Sequence, residues 1–379
     1  MKIINYGRQT IDNSDIKSVV KTLKSNYLTQ GPKVLEFEKA INKKFGSRYS
    51  VAVSNGTAAL FIATKALGWK KKDIIITTPI TFLATANCIE NLGAKTDFVD
   101  INEKDFTIDI KKLEKKLKKN KKIKGVIAVD YAGHPSDWKS LRKLADKYKF
   151  TLINDNCHAI GAKYNNNLKY AIKYADIVTH SYHPVKTITT GEGGAILCKD
   201  KKIYKKVVRT RSHSIIKNKP NIKSWHYDVY EVGFNYRMSD IQCALGISQL
   251  KKLSQFVKKR RLIANYYKKL LKDDKRFILP SENKDIFHSY HLFPLQIDFN
   301  KTKINKSILF KKMKKKGINL QVHYIPIYRQ PFYRKKYNFK KENFKNSERF
   351  FKRVLSLPIY PSLTFKDANR VIKTITKLI

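Results

Sequence analysis

The stretch DIVTHSYHPVKTITTGEGGAILC (176–198) decides how the rest of the chain reads. One short β-branched run ends near His180, and a second begins at Ala195. Between them stands Lys186, with no other charge from Pro184 to Thr190. That isolation is unusual in a chain whose 79 Lys and Arg residues otherwise crowd together. Burial disfavours the charged form of an amine, so a partly desolvated lysine has a depressed pKa and becomes a usable nucleophile. Ser181 sits five residues before it, and Gly191, Gly193 and Gly194 make a turn after it. A lone lysine is more ordinarily a solvated surface residue; the context favours the other reading.

Outward from this stretch, similar short apolar runs occur at 49–53, 73–77, 96–99, 123–130 and 150–154. Helical patterns lie between several of them, at 57–67, 82–92 and 137–148, and earlier at 13–26 and 33–45 around a turn at 28–32. Short apolar strands alternating with amphipathic helices predict an α/β fold with a mostly parallel sheet covered on both faces. Counting 176–180 and 195–198, seven strands are expected. A large domain with an N-terminal helical segment is expected over 1–250, and a smaller α+β domain over 251–379. The second unit opens with one long linking helix over 251–271. After Pro280 follow a strand at 290–297, a helix at 303–316, a strand at 318–325 and a terminal helix at 367–378. The segment 328–350, rich in Tyr, Phe, Lys and Asn, reads as a surface loop and helix.

The chain has 379 residues, 42% of them hydrophobic and 12% aromatic, enough for a sizeable core and against a wholly disordered chain. Its formal charge of +49 suggests a polyanion partner when taken alone. The lysines, however, recur along almost the whole chain. In the run 111–124 they leave Ile110, Leu113 and Leu117 at helical spacing, as on the wet face of an ordinary helix. No nucleic-acid partner is expected; the charge suits an anionic small substrate. No run approaches the ~18 apolar residues of a bilayer span, and the first residues lack the apolar centre of a signal peptide. The four cysteines, Cys88, Cys157, Cys198 and Cys243, show no paired or metal-like spacing and fit a reducing cytosol, so a cytoplasmic location is expected. Nine histidines without an HExxH run or a tight Cys/His cluster argue against a metal hydrolase, and no metal is expected.

Two further motifs join Lys186. SNGTAAL (54–60) follows a strand and opens a helix, so its backbone N–H groups and the helix dipole suit a phosphate. Gly56 permits close approach and Thr57 adds a hydroxyl, although an ordinary capped Asn-Gly turn looks the same. Asp155, in TLINDNCHAIGA (151–162), stands just past a strand, where parallel sheets collect ligands. His158, three residues on, is either part of that site or a packed core histidine. A phosphate cradle, a strand-end aspartate and an isolated lysine together describe a pyridoxal phosphate site. In it the lysine forms the Schiff base and the aspartate keeps the pyridine nitrogen protonated.

These residues also carry a resemblance. LTQGPKVLEFE (28–38), VAVSNGTAAL (51–60), PITFLATANCI (79–89), VDYAGHPSD (129–137), INDNCHAIGA (153–162), SYHPVKTITTGEGG (181–194), GFNYRMSDIQCALGISQL (233–250) and SLPIYPSLT (356–364) resemble the DegT/DnrJ/EryC/StrS sugar aminotransferases. These are fold-type I pyridoxal phosphate enzymes. The resemblance implies that Lys186 binds the cofactor covalently, that Asp155 pairs with its ring nitrogen and that His158 lies on its phenolic oxygen side. It further implies that Phe82 packs on the ring and that Gly56, Thr57 and Ser181 hold the phosphate. Asn235 and Arg237 would come from the neighbouring subunit, which implies a homodimer with shared sites. Asn154 departs from the family, which often has Glu there. Within the family the resemblance is strongest to the pseudaminic acid branch. That implies L-glutamate as donor and a UDP-linked 4-keto-6-deoxy-L-sugar as acceptor. Bacillosamine-type UDP sugars and dTDP sugars are the alternatives. His183, Trp225, His226, Tyr227, His323 and Tyr324 are candidates for touching the sugar nucleotide; packing roles are equally open to them.

Overall fold

A computed structural model describes residues 2–217 and 225–379. Seven strands form the main sheet: β1 (Tyr49–Val53), β2 (Ile74–Thr77), β3 (Lys95–Phe98), β4 (Ile123–Val129), β5 (Thr151–Asp155), β6 (Ile177–Ser181) and β7 (Gly194–Cys198). Their spatial order is β1-β7-β6-β5-β4-β2-β3. Only β7 runs against its neighbours β1 and β6; the other pairings are parallel. Central strands such as β6 and β7 are buried at every position, which is why neither reads as an apolar/polar alternation. Helices cover both faces. The first six along the chain are α1 (Asn13–Leu23), α2 (Pro32–Phe45), α3 (Gly56–Ala66), α4 (Leu83–Glu90), α5 (Ile110–Lys119) and α6 (Trp138–Tyr148). In α5, Leu113 and Leu117 are buried while its lysines line the wet side.

The long helix expected over 251–271 forms over Leu253–Leu271. Asp240–Lys251 (α7) and Leu253–Leu271 (α8) meet at Lys252. α8 then serves two cores. Leu253, Phe256 and Val257 join the cluster beneath the large sheet, whereas Ile263, Ala264, Tyr267 and Leu271 join a second cluster. Ile4, near the other end of the chain, also belongs to that second cluster. Around it fold three short antiparallel strands, β8 (Phe277–Ile278), β9 (Phe293–Ile297) and β10 (Val354–Leu357), with helices α9 (Lys306–Lys315) and α10 (Phe365–Leu378).

Two expectations need correction. The segment 318–325 forms no strand. It makes only isolated bridges, Ile4 with Ile318 and Gln321 with Ser356, and its middle turns inward to line a cavity. The segment 328–350 is not merely a surface loop and helix. Tyr328, Tyr333 and Phe344 are buried with Phe98 and Ala86, so this stretch seals the outer edge of the sheet.

Candidate active site

A cavity of about 620 Å³ opens at the carboxyl ends of the parallel strands. Such strand ends are where open α/β sheets collect ligands. Gly56, Thr57, Phe82, Asp155, His158, Ser181, His183, Lys186, His323 and Tyr324, all singled out from sequence, line it.

The floor is the N-terminus of α3. Asn55 caps the helix by accepting from the Ala58 N–H at 2.8 Å, and the Ala59 N–H returns to the Asn55 carbonyl. The Gly56 and Thr57 N–H groups have no acceptor among the described residues. Unpaired first-turn donors and the helix dipole make an anion cradle. Ser181, ending β6, lies against it; a β-carbon on Gly56 would stand 2.7 Å from the Ser181 β-carbon. Gly194, opening β7, is packed as tightly: a β-carbon there would stand 2.6 Å from the Asn55 carbonyl oxygen. Gly56→Ala is therefore expected to spread the cradle and weaken phosphate binding about tenfold or more, since uncompensated overpacking costs roughly 1–3 kcal/mol. Equilibrium titration of cofactor into apo-protein measures it; unchanged affinity refutes the cradle.

The far wall is Asp155, the last residue of β5 and 5% exposed. Thr85 on α4 donates to its Oδ2 at 2.8 Å, and the Cys157 N–H to its Oδ1 at 3.3 Å. The Thr81 hydroxyl lies 2.9 Å from that of Thr85, so the carboxylate is held by a relay one helical turn deep. Asn154, pointing the opposite way from the strand, donates to Asp130 at 3.1 Å. Asp130 is fully buried and also accepts from the Ser136 N–H, Trp138, Asn156 and Tyr170. Burial pushes its carboxyl pKa up, and those donors oppose the rise. The departure at Asn154 is thus a neutral donor facing a caged carboxylate.

Lys186 is half-buried. Burial pushes its amine below the ordinary lysine range, while Cys157 and Asp155 pull the other way. His158 is buried, and burial first, then Lys186 and His323, keep its imidazole neutral. The Ala132 N–H donates to its Nδ1 at 3.3 Å, so the ring proton is on Nε2. That Nε2–H faces the Tyr324 hydroxyl oxygen at 3.0 Å, which leaves the Tyr324 proton free to be donated into the cavity. His323 is held through Nδ1 by the Ser356 hydroxyl at 2.7 Å, and burial lowers its pKa to about 3. Phe82 is no core aromatic: it is 54% exposed, caps α4 and stands 6.0 Å from the Tyr324 ring. His183 lies at the rim, 4.0 Å from Glu192.

The remaining sequence candidates lie outside this cavity. Asn235 bridges Ser212, and Arg237 bridges Val53, so the segment 234–237 runs beside the exit of β1. Trp225, His226 and Tyr227 are exposed just ahead of the short strand Asp228–Val229, and His226 meets Asp228 at 3.3 Å. Sequence reading missed Tyr6, Thr81, Thr85 and His291, all of which line the cavity. The four-residue spacing of Thr81 and Thr85, which places both on one side of a turn, was the available signal for that pair. Nothing local distinguishes His291.

The residues fit pyridoxal phosphate: an anion cradle at Gly56 and Thr57, a braced carboxylate at the opposite end, and a desolvated amine between. The cradle alone is a common device; the braced Asp155 and Lys186 in one cavity define a pyridoxal phosphate-dependent transferase. Residues 9–376 match the DegT/DnrJ/EryC1/StrS aminotransferase family, and the chain belongs to that family. It is accordingly a pyridoxal phosphate-dependent sugar aminotransferase. It is 39% identical over 378 residues to the UDP-4-amino-4,6-dideoxy-N-acetyl-beta-L-altrosamine transaminase of Campylobacter jejuni, covering 100% of this chain and 98% of that one. The solved structure of Helicobacter pylori PseC, an aminotransferase of pseudaminic acid biosynthesis, superimposes with a TM-score of 0.92 at 32% identity, over 100% of this chain and 99% of that one. A sugar aminotransferase from Streptococcus pneumoniae, solved in its PMP form, gives 0.91 at 25% identity, over 99% and 98%. Among the described residues no helix is long and apolar enough to cross a membrane.

Proposed function

We propose that this enzyme moves the amino group of L-glutamate to C4 of UDP-2-acetamido-2,6-dideoxy-β-L-arabino-hex-4-ulose. The products are UDP-4-amino-4,6-dideoxy-N-acetyl-β-L-altrosamine and 2-oxoglutarate, in pseudaminic acid synthesis. The observation that carries the sugar assignment is the full-length 39% identity to a transaminase of that name. A 28% identical relative from Shewanella sediminis is named for UDP-4-amino-4-deoxy-L-arabinose, so a different UDP-4-keto sugar is the second reading.

In this reading Gly56, Thr57 and Ser181 bind the cofactor phosphate, Phe82 covers one ring face and Asp155 holds the ring nitrogen's proton. When bound, the cofactor supplies the electron sink for breaking the donor's Cα–H bond. Lys186 Nζ, whose pKa its desolvated setting lowers, takes that proton as general base. In the second half-reaction it delivers a proton to C4 of the sugar, and the face it serves sets the configuration of the new amine. Neutral His158 orients the Tyr324 hydroxyl, whose free proton suits an oxygen leaving or forming in the cavity. His183, His323 and the Trp225–Tyr227 segment are the proposed contacts to the sugar nucleotide, with Asn235 and Arg237 serving the site of a second copy. The exposed apolar side chains Trp225, Tyr227, Val229, Tyr230 and Val232 support such a dimer, which sedimentation equilibrium measures directly.

The test is a single-turnover experiment. Enzyme converted to the pyridoxamine form with L-glutamate, then cleared of donor, receives one UDP-4-keto sugar at a time. Rapid return of the lysine-bound cofactor's absorbance with the L-arabino ketone, and slow return with the D-xylo ketone, is expected. Preference for the D-xylo ketone refutes the sugar assignment and leaves the enzyme class standing.

A further inference from the structure

Arg260 lies mid-way along α8 in the run KKRR (258–261), yet it is 1% exposed. It makes no ion pair among the described residues. Its acceptors are five main-chain carbonyls. Nη1 donates to Ile359 at 2.8 Å, to His291 at 3.1 Å and to Tyr290 at 3.4 Å. Nη2 reaches the carbonyls of Val185 and Lys186 at 3.5 and 3.4 Å. Nε has no partner. Burial lowers the guanidinium pKa to about 10, so the group stays a cation at neutral pH. A buried cation without a carboxylate is costly, and carbonyl oxygens offset only part of the cost.

The five carbonyls come from three stretches that border the cavity: the lysine loop, the His291 stretch and, one bond further out, the partner of Tyr6. Val185 and Lys186 are the lysine loop. His291 presents its ring to the same cavity, 4.5 Å from the ring of His158. The Ile359 N–H donates to the Tyr6 carbonyl at 3.1 Å, and Tyr6 lines the cavity from the N-terminal strap. Val185 in turn packs against Gly7 of that strap; a β-carbon on Gly7 would stand 3.2 Å away. One planar fork therefore ties the main chain of Lys186 to both other walls. The loop's other main-chain grips lie further along it, at Thr189, whose N–H meets Gln249 Oε1 at 3.4 Å, and at Glu192, whose carbonyl accepts from Gln242 at 2.8 Å. The Lys186 N–H bonds only within the loop, to the His183 carbonyl at 2.8 Å.

We infer that Arg260 is a positioning residue for Lys186, fixing the loop's main chain to the His291 and Tyr6 walls so that the amine keeps its aim during proton transfer. This rests on the reading of Lys186 as the proton-moving amine. A misplacement of about 1 Å can cost roughly 100-fold in rate. Arg260→Gln is thus expected to slow the L-glutamate half-reaction roughly 10- to 100-fold at saturating donor, with KM for L-glutamate changed less than about threefold. Arg260→Lys keeps the charge but not the planar fork, and should fall between the two. Hydrogen–deuterium exchange of the holoenzyme should quicken in 181–194 and 286–292 and stay unchanged in β4 and β5.

A lowered melting temperature with wild-type half-reaction rate and wild-type exchange in 181–194 overturns the inference and makes Arg260 a packing residue only. If Arg260→Gln does not fold, Arg260→Lys decides by the same two readouts. Should wild-type enzyme fail to react with L-glutamate, it is the functional reading that falls, and the exchange pattern still judges Arg260.

Discussion

Replacing Lys186 by Ala should reduce turnover at least ~10⁴-fold, because it removes a positioned general base and acid as well as the covalent anchor. The cavity keeps its other holds. The cradle at Gly56 and Thr57 and the carboxylate of Asp155 are built from main chain and from a threonine relay that do not touch the lysine. Cofactor is therefore expected to remain, bound without a covalent link, and to be removable by dialysis. Stopped-flow absorbance with L-glutamate reads the first effect and cofactor retention the second. A variant that turns over at the wild-type rate removes Lys186 from the mechanism.

Removing the amine also has a stability consequence, whose sign follows from its depressed pKa. The unfolded chain holds this proton up to the model-compound value of 10.5, whereas the folded apo-protein releases it earlier. Charging Lys186 therefore opposes folding, fully at pH below its folded pKa and not at all above 10.5. Lys186→Met in apo-protein should raise the melting temperature near neutral pH, and the gain should fade as pH climbs towards 10.5. A gain that persists unchanged in alkaline buffer would show that it comes from packing rather than from relief of the buried charge.

Much of this site was legible in the chain because each part sits at a place where chemistry constrains composition. β7 announces itself by a continuous apolar run, β6 by its β-branched start, and Lys186 by its distance from other charges. Asp155 is marked by the end of β5. The parts that escaped are those whose residue types are ordinary for their surroundings. Thr85 is one threonine on an apolar helix. Arg260 is one cation within KKRR, and in a chain with 79 Lys and Arg nothing local tells a buried fork from a solvated face. The segment 318–325 misled for a related reason. Its β-branched and aromatic residues suit a strand, but at His323 and Tyr324 they are spent on lining the cavity, so almost no ladder forms. The density of Lys and Asn in 328–350 likewise hid Tyr328, Tyr333 and Phe344, whose burial depends on partners such as Phe98, far away in sequence.

The second large effect is expected at Asp155. Both of its oxygens already accept a hydrogen bond, from Thr85 and from the Cys157 N–H, and each keeps lone-pair capacity for the cavity. Asp155→Asn preserves shape and burial but converts one acceptor into an NH₂ donor. If the amide oxygen keeps the Thr85 bond, the NH₂ faces the Cys157 N–H and the cavity. If the amide flips, the Thr85 hydroxyl can turn to donate elsewhere, and the Cys157 N–H is satisfied. In both arrangements the negative charge is gone, so nothing holds a proton on a pyridine nitrogen there. Loss of one such preorganised electrostatic partner costs roughly 10²–10³-fold. The L-glutamate half-reaction should slow by that order while the phosphate cradle, remote from the carboxylate, keeps most of the cofactor affinity. Asp155 also pulls the Lys186 pKa up, so its removal should let that pKa fall further. The pH profile of the residual half-reaction should then shift to lower pH on its acidic limb. Thr85→Val, which strips one brace and leaves the charge, should give a much smaller loss with the wild-type profile. A half-reaction in Asp155→Asn within about threefold of wild type would mean that ring protonation is not what this carboxylate provides.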